Sequence, residues 1–360
     1  MLPISICIIA KNEEKHLHTF LSSIKNYMKN YPHEIVFVDT GSTDATRKIA
    51  SQYTDCIYDF KWINDFSAAR NFSLSKASHD WVLVLDCDEY ITSLDPQCFQ
   101  QMMEQYPTGI GMITRQNHYQ MNEQDSIYTD QVERFFNRNY FHYESIIHEQ
   151  VVPLTPGKTN KVSILLTVDH CGYMGTIEEL QKKVERNNTL LLQMLEQTPD
   201  DPYLYFQLGQ SYNAIHDVEK TCLYYGKGLE YDINPQTEYA QLMVIGYGHS
   251  LLNLKRYEEA LLFEGIYNEF SFSADFLFLM GLIYMNNAMF DKAIQEFMNA
   301  TRCTKCNVKG INSYLAYYNI GVIYECAGMK DEALKYYKMC GDYEPALNGT
   351  QRCMIVSNDL

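Results

Sequence analysis

Asp86 and Asp88 stand one residue apart, directly after the apolar run WVLVL at residues 81–85. In an extended chain, residues two apart share a side, so both carboxylates point the same way. Paired hard oxygen ligands of this kind can hold a divalent cation and, through it, a phosphate. About one D-x-D pair arises by chance at this aspartate content, and it is the place after a buried strand that marks this one. Asp39 closes a second apolar run. Gly41, Ser42, Thr43 and Asp44 follow it as a turn that lets backbone N–H groups approach a ligand. A carboxylate there can accept hydrogen bonds from a base edge or a ribose, while Thr43 is expected to cap the next helix. Arg70 and Asn71 lie in the helical stretch before Asp86. The fixed guanidinium fork of Arg70 suits a phosphate or a planar base. Cys303 and Cys306 form a CxxC pair with no second pair at zinc-finger spacing, so thiols at a helix end are expected there.

These groups need strands that end beneath them. Residues 4–10 read as a buried strand and 13–27 as a helix with Leu17, Phe20, Leu21 and Ile24 on one face. Strands are expected at 35–38, 57–60 and 81–85, with helices around Ile49 and over 67–77. Alternating strands and helices define an α/β layer fold, whose ligands gather at the C-terminal ends of the strands. Residues 108–173 switch to alternating strands, among them 111–116 and 161–168, which predicts an antiparallel addition to the sheet.

After residue 175 the texture becomes helical. Leu208-Gly209, Tyr247-Gly248, Met280-Gly281 and Ile320-Gly321 align, with Tyr212, Leu251, Tyr284 and Tyr324 three residues after each glycine and Thr221, Ala260, Ala293 and Ala333 twelve after. The pattern resembles the tetratricopeptide repeat, a helix-turn-helix unit of roughly 34 residues. Repeat starts fall near 202, 241, 274 and 314, and the last two, with Phe297 and Tyr337 at the large position, match best. The reading is a domain over 1–175, a joining helix over 176–201 ended by Pro199 and Pro202, and repeats over 202–360. Tyr203, Tyr205, Tyr224, Tyr225, Tyr317, Tyr318 and Tyr336 are expected to exceed in part what the repeat core can absorb.

The 360 residues carry 29 Lys and Arg against 45 Asp and Glu, a net charge of −16, so broad attraction to nucleic acid or anionic lipid is not expected. Any anionic ligand must be held locally. No apolar stretch approaches the ~18 residues of a membrane span, and no basic leader precedes the first strand. Eleven cysteines, scattered from Cys7 to Cys353, suit reduced thiols. A cytoplasmic protein is expected.

The segments ICIIAKNEE, VFVDTGSTDAT, FSAARNFSL and WVLVLDCDEY, in this order and spacing, resemble the inverting family 2 glycosyltransferases with a GT-A type nucleotide-sugar domain. IIHEQVV and VDHCGY, followed by the repeats, resemble the bacterial subgroup that includes peptide S-glycosyltransferases of the glycocin type. The resemblance implies that Ala10, Asn12 and Glu13 border the nucleoside, that Asp39 faces the base, and that Arg70 lies near base or phosphate. It assigns Asp86 and Asp88 to metal and diphosphate, Asp88 the more direct ligand, and places His170 as a third ligand. A neutral imidazole suits that task. Mg2+ or Mn2+ would neutralise the leaving diphosphate, and the donor would be a nucleotide sugar, a uridine diphosphate hexose by expectation.

Inversion requires a base opposite the departing diphosphate. His148 and Glu149 are adjacent, so one can face the cleft while the other points away. Either can take a proton; Glu149 is preferred over His148 and Glu89. The expected acceptor is a peptide, protein or glycan, with a Cys or Ser side chain open, and the repeats could bind a peptide or a second copy of the chain. The competing reading is a non-catalytic nucleotide-sugar-binding scaffold whose repeats hold a peptide partner. A dinucleotide dehydrogenase is disfavoured because no G-x-G-x-x-G follows the first strand.

Overall fold

The computed structural model describes residues 1–121, 124–171, 177–304 and 306–355, and divides into two compact units, Met1–Leu190 and Leu191–Leu360. The boundary expected near residue 175, and Gly172 and Tyr173 of VDHCGY, lie outside the described residues. Among those described, no helix is long and apolar enough to cross a membrane.

In the first unit the chain runs β1 (Ile4–Ala10), α1 (Leu17–Tyr27), β2 (His33–Asp39), α2 (Thr46–Ala50), β3 (Ile57–Asp59), α3 (Phe66–Lys76), β4 (Trp81–Val84), β5 (Glu89–Leu94) and α4 (Gln97–Gln105). Then come β6 (Ile110–Met121), β7 (Gln124–Asn137), β8 (Phe141–Glu144), β9 (Gln150–Pro153), β10 (Lys161–His170) and α5 (Ile177–Gln197), whose last residues belong to the second unit. One mixed sheet has the order β3-β2-β1-β4-β7-β6-β10-β5, and β8 and β9 form a separate hairpin. Strands β3, β2, β1 and β4 are parallel, whereas β7 runs antiparallel to both β4 and β6. The expected antiparallel addition is present as a long β6–β7 hairpin, but β10, expected to belong to it, runs parallel to β6 and antiparallel only to β5.

Strand β1 is apolar on both faces because both faces are covered. Ile4, Ile6 and Ile8 pack with Phe20, Leu21 and Ile24 of α1 and with Phe99 and Met102 of α4. Cys7 faces the opposite layer, with Leu74, Val84, Phe136 and Tyr143. Two local readings change. Helix α1 starts at Leu17 rather than at residue 13, because Asn12 takes a left-handed φ of 57° and residues 13–16 form a turn. Thr43 does not cap α2: its N–H donates to Asn12 Oδ1, and Asp44 Oδ1 instead accepts from Thr46 N. Strand β5, not foreseen, pairs antiparallel with β10 and brings Glu89 opposite His170.

The second unit is all-helical: α6 (Pro202–Asn213), α7 (Val218–Gly228), α8 (Glu238–Asn253), α9 (Tyr257–Ala260), a 3-10 turn (Leu261–Ile266), α10 (Tyr267–Phe270), α11 (Ala274–Asn286), α12 (Phe290–Ala300), α13 (Tyr314–Cys326), α14 (Lys330–Lys338) and α15 (Glu344–Ile355). Three helix pairs meet at a glycine packed on the aromatic sixteen residues later: Gly209 on Tyr225, Gly281 on Phe297, Gly321 on Tyr337. The corresponding residue after Gly248 is Glu264, and there the second helix breaks into α9, the 3-10 turn and α10. The repeat tyrosines are buried or half-buried, many in ring pairs such as Tyr212–Tyr224, Tyr317–Tyr336 and Tyr318–Tyr337. The expected surplus of aromatic side chains is thus largely spent on packing.

Candidate active site

Strands β1 and β2 end in register, Ala10 opposite Asp39, and their loops are laced together. Ala10 O accepts from Thr40 N and Oγ1; Asn12 N donates to Ser42 Oγ at 3.0 Å; Glu13 N donates to Thr46 Oγ1 at 2.7 Å. Asp39 is buried, and its Oδ1 accepts from Ser42 N at 2.9 Å, closing the turn at Gly41, whose φ of 100° favours glycine.

Beyond these loops opens a cavity of about 1050 Å³. It is lined by Ala10, Asn12, Glu13, Arg70, Asp86, Asp88, His148, Glu149 and His170, so nine of the ten residues singled out from the sequence converge on one space. Asp39 is not among the lining residues; its neighbour Thr40 is.

Within this lining, Asp88 Oδ2 lies 3.4 Å from His170 Nε2. The imidazole is oriented from behind. Asp130 Oδ1 accepts from Asn117 Nδ2 at 3.1 Å, which turns Asn117 Oδ1 toward His170 Nδ1 at 2.8 Å. A carboxylate can only accept, so the amide must face it with its NH2 and His170 must carry its proton on Nδ1. Nε2 is left facing Asp88, an arrangement common to metal-ligating histidines. Burial opposes ionisation of Asp88, but with a proton also on Nε2 the hydrogen bond and charge of His170 outweigh it and hold the carboxyl below its usual range; a cation would take that proton's place. Asp86 is engaged otherwise: Oδ1 accepts from Arg70 Nη2 at 2.9 Å and Oδ2 from Arg134 Nη2 at 2.7 Å. Among the described residues no three of His, Cys, Asp or Glu are grouped to hold a metal. Asp88 fits a hard cation such as Mg2+ or Mn2+, which takes few protein ligands and completes its shell with substrate phosphate and water; the imidazole of His170 favours Mn2+, the softer of the two.

In the segment before β9, Ser145 and His148 have φ of 75° and 53°. This bent segment brings Glu149 to the cavity, where Oε1 accepts from Arg70 Nε at 2.5 Å. Among the described residues, Oε2 has no partner. Burial pushes the pKa of His148 down, against the pull of Glu149, which keeps the imidazole neutral.

A continuous ladder of opposite charges runs from Glu149 toward His170. Glu149 pairs with Arg70, Arg70 with Asp86, Asp86 with Arg134, and Arg134 with Glu89 at 2.6 Å. Glu89 lies 3.7 Å from Arg115, and Arg115 holds Asp130 through two hydrogen bonds of 3.1 and 2.6 Å. Asp130 leads through Asn117 to His170. Glu89 is wholly buried, with Oε1 on Arg134 and Oε2 on the backbone N–H of Asp86, so it braces the ladder and is closed to an acceptor. Arg70 is buried, its guanidinium over the Tyr143 ring at 5.5 Å, and its described hydrogen bonds go to the two carboxylates. It positions Asp86 and Glu149.

Arg115, Asn117, Asp130, Arg134 and Tyr143 escaped the sequence reading. The available signal was a charge inside an otherwise apolar strand, as in MITRQ and VERFF, because a buried charge must have a partner.

The glycosyl transferase family 2 model matches residues 5–154, and a tetratricopeptide repeat model matches residues 274–302 and 314–346. The chain thus carries a family 2 glycosyltransferase domain of GT-A-like fold followed by tetratricopeptide repeats. A TPR repeat-containing protein of Synechococcus elongatus is 28% identical over 217 residues, 58% of this chain and 52% of that protein. The SPbeta prophage-derived glycosyltransferase SunS of Bacillus subtilis is 24% identical over 227 residues, 62% of this chain and 52% of that protein. The chain spans about half the length of these curated relatives. YrrB, a TPR protein with an unusual peptide-binding site, superposes with a TM-score of 0.41 at 19% identity, covering 49% of this chain and 90% of that one.

Proposed function

We propose that the chain transfers a hexose from a nucleoside diphosphate sugar, with inversion at the anomeric carbon, to a side chain of a peptide or protein or to a glycan. The observation that carries this reading is one cavity lined by both a cation-holding pair, Asp88 and His170, and a braced carboxylate, Glu149. The family 2 domain supports it.

The loops of Ala10, Asn12 and Glu13 border the nucleoside, and Asp39 holds the turn beside them. Asp88 and His170 would hold Mg2+ or Mn2+, which supplies charge neutralisation for the leaving diphosphate. Arg70 fixes Glu149 through Oε1 and leaves Oε2 to accept the acceptor's proton as the new glycosidic bond forms. Neutral His148 is the second candidate for that proton. A uridine diphosphate donor follows from the resemblance. The resemblance of IIHEQVV and VDHCGY to the peptide S-glycosyltransferase subgroup, together with the repeats, supports a peptide or protein acceptor, with a Cys or Ser side chain as the attacking group. A peptide or a second copy of the chain are the partners proposed for the repeats, and the cytoplasm is the compartment proposed. Thermal-shift titration with a panel of nucleotide sugars, with and without Mn2+, tests the donor reading: at least one donor should raise Tm in a metal-dependent way. A panel with no stabilising member would count against it.

A further inference from the structure

The cavity's charge is opposite to that of the chain. Among its described lining residues are eight Lys and Arg against five Asp and Glu, in a protein of net charge −16. Arg70, Arg115 and Arg134 are bound into the ladder, and Lys161 pairs with Glu133. Three of the eight, Lys182, Lys183 and Arg186, belong to α5, which the sequence presents only as a joining helix.

Lys183 and Arg186 of α5 are three residues apart and therefore share a helix face, and both line the cavity. They lie beside the residues that would meet the donor. Lys183 acts electrostatically on both Glu13 and Asp88, and Arg186 acts on Glu13. Arg186 is also fixed in place. Its guanidinium stands over the ring of Phe66, another lining residue, at 5.2 Å, and its Nε and Nη2 donate to Asn187 Oδ1 at 3.2 and 3.1 Å.

A diphosphate entering this space would face Glu13 and Asp88, both acidic. The α5 cations, which act on Glu13 and Asp88 themselves, would offset that repulsion beside any cation on Asp88 and His170, and a guanidinium matches phosphate geometry. We propose that Lys183 and Arg186 bind the diphosphate of the donor and retain it on the leaving nucleoside diphosphate. The inference rests on the donor reading above and extends it to a helix outside the matched family segment, which ends at residue 154.

The test is calorimetric titration of the full chain, with Mn2+ present, using uridine, UDP and inorganic pyrophosphate. Wild type is compared with the double variant Lys183→Gln, Arg186→Gln, and with Lys25→Gln, an exposed α1 cation that does not line the cavity. The double variant should lose about tenfold or more in affinity for UDP and pyrophosphate, and less than about twofold for uridine. Lys25→Gln should match wild type. Unchanged UDP affinity in the double variant, or an equal loss for uridine and UDP, overturns the assignment while leaving the donor reading intact. A wild type that binds no uridine nucleotide overturns the uridine donor reading, and pyrophosphate then decides: selective loss in the double variant upholds the α5 site, and no loss or no binding overturns it.

Discussion

Arg134 shows what sequence alone could and could not reveal at the scale of single residues. Its guanidinium satisfies Asp86 and Glu89, which lie 48 and 45 residues earlier in the chain, on the far side of a hairpin still to be formed. The Asp86 and Asp88 pair was legible because it follows an uninterrupted apolar strand. That Asp86 is spent on two arginines was not, since neither partner is near it in sequence. Glu13 offers a test at this scale. Burial, with Asp88 and Asp86 adding to it, pushes its carboxyl up to about 7. A carboxyl raised in the folded state binds its proton more tightly there than when unfolded. Its ionisation therefore costs nothing below the unfolded value near 4.3, and costs stability progressively as pH rises toward 7 and beyond. In metal-free protein, Glu13→Gln should gain stability over wild type at pH 8, on the order of 1–3 kcal/mol, and little at pH 5. Paired thermal melts across that range check it, and a difference independent of pH would contradict the assignment.

Elements were read well where one local rule decided them. Strands β1, β2 and β4 are apolar runs with covered faces, and α1 has a clean apolar stripe. Strand β5 was missed because EYITSL is the sheet's last strand, and the polar residues there carry no alternation that marks a covered face. In the repeats, the glycines were visible, but their purpose was not until three of the four were seen against an aromatic ring. A Cβ added at Gly281 would stand 2.6 Å from the ring of Phe297, which is fully buried and has nowhere to move. Gly281→Ala should therefore destabilise the second unit by roughly 1–3 kcal/mol. Gly265, in the 3-10 turn, has open space around its added Cβ, and Gly265→Ala should leave the melting temperature within a degree or so. Equal losses from both substitutions would show that the ring contact does not set the spacing of the helix pair.

For the whole molecule, net charge excluded broad attraction to polyanions and left local capture as the only route to a phosphate ligand, which is what the cationic lining of the cavity supplies. The matched family segment covers Asp39, Asp86 and Glu149, whereas His170 and the α5 cations lie beyond it. The account stands or falls on whether this cavity turns over a nucleotide sugar. The most direct measurement is release of the nucleoside diphosphate from the donor that stabilises the full chain, followed in wild type, Asp88→Ala and Glu149→Gln, each checked for an unchanged circular dichroism spectrum. Release by wild type that falls about a hundredfold or more in both variants is the predicted result. Turnover by either variant equal to that of wild type, or no release by wild type from any donor, would contradict it.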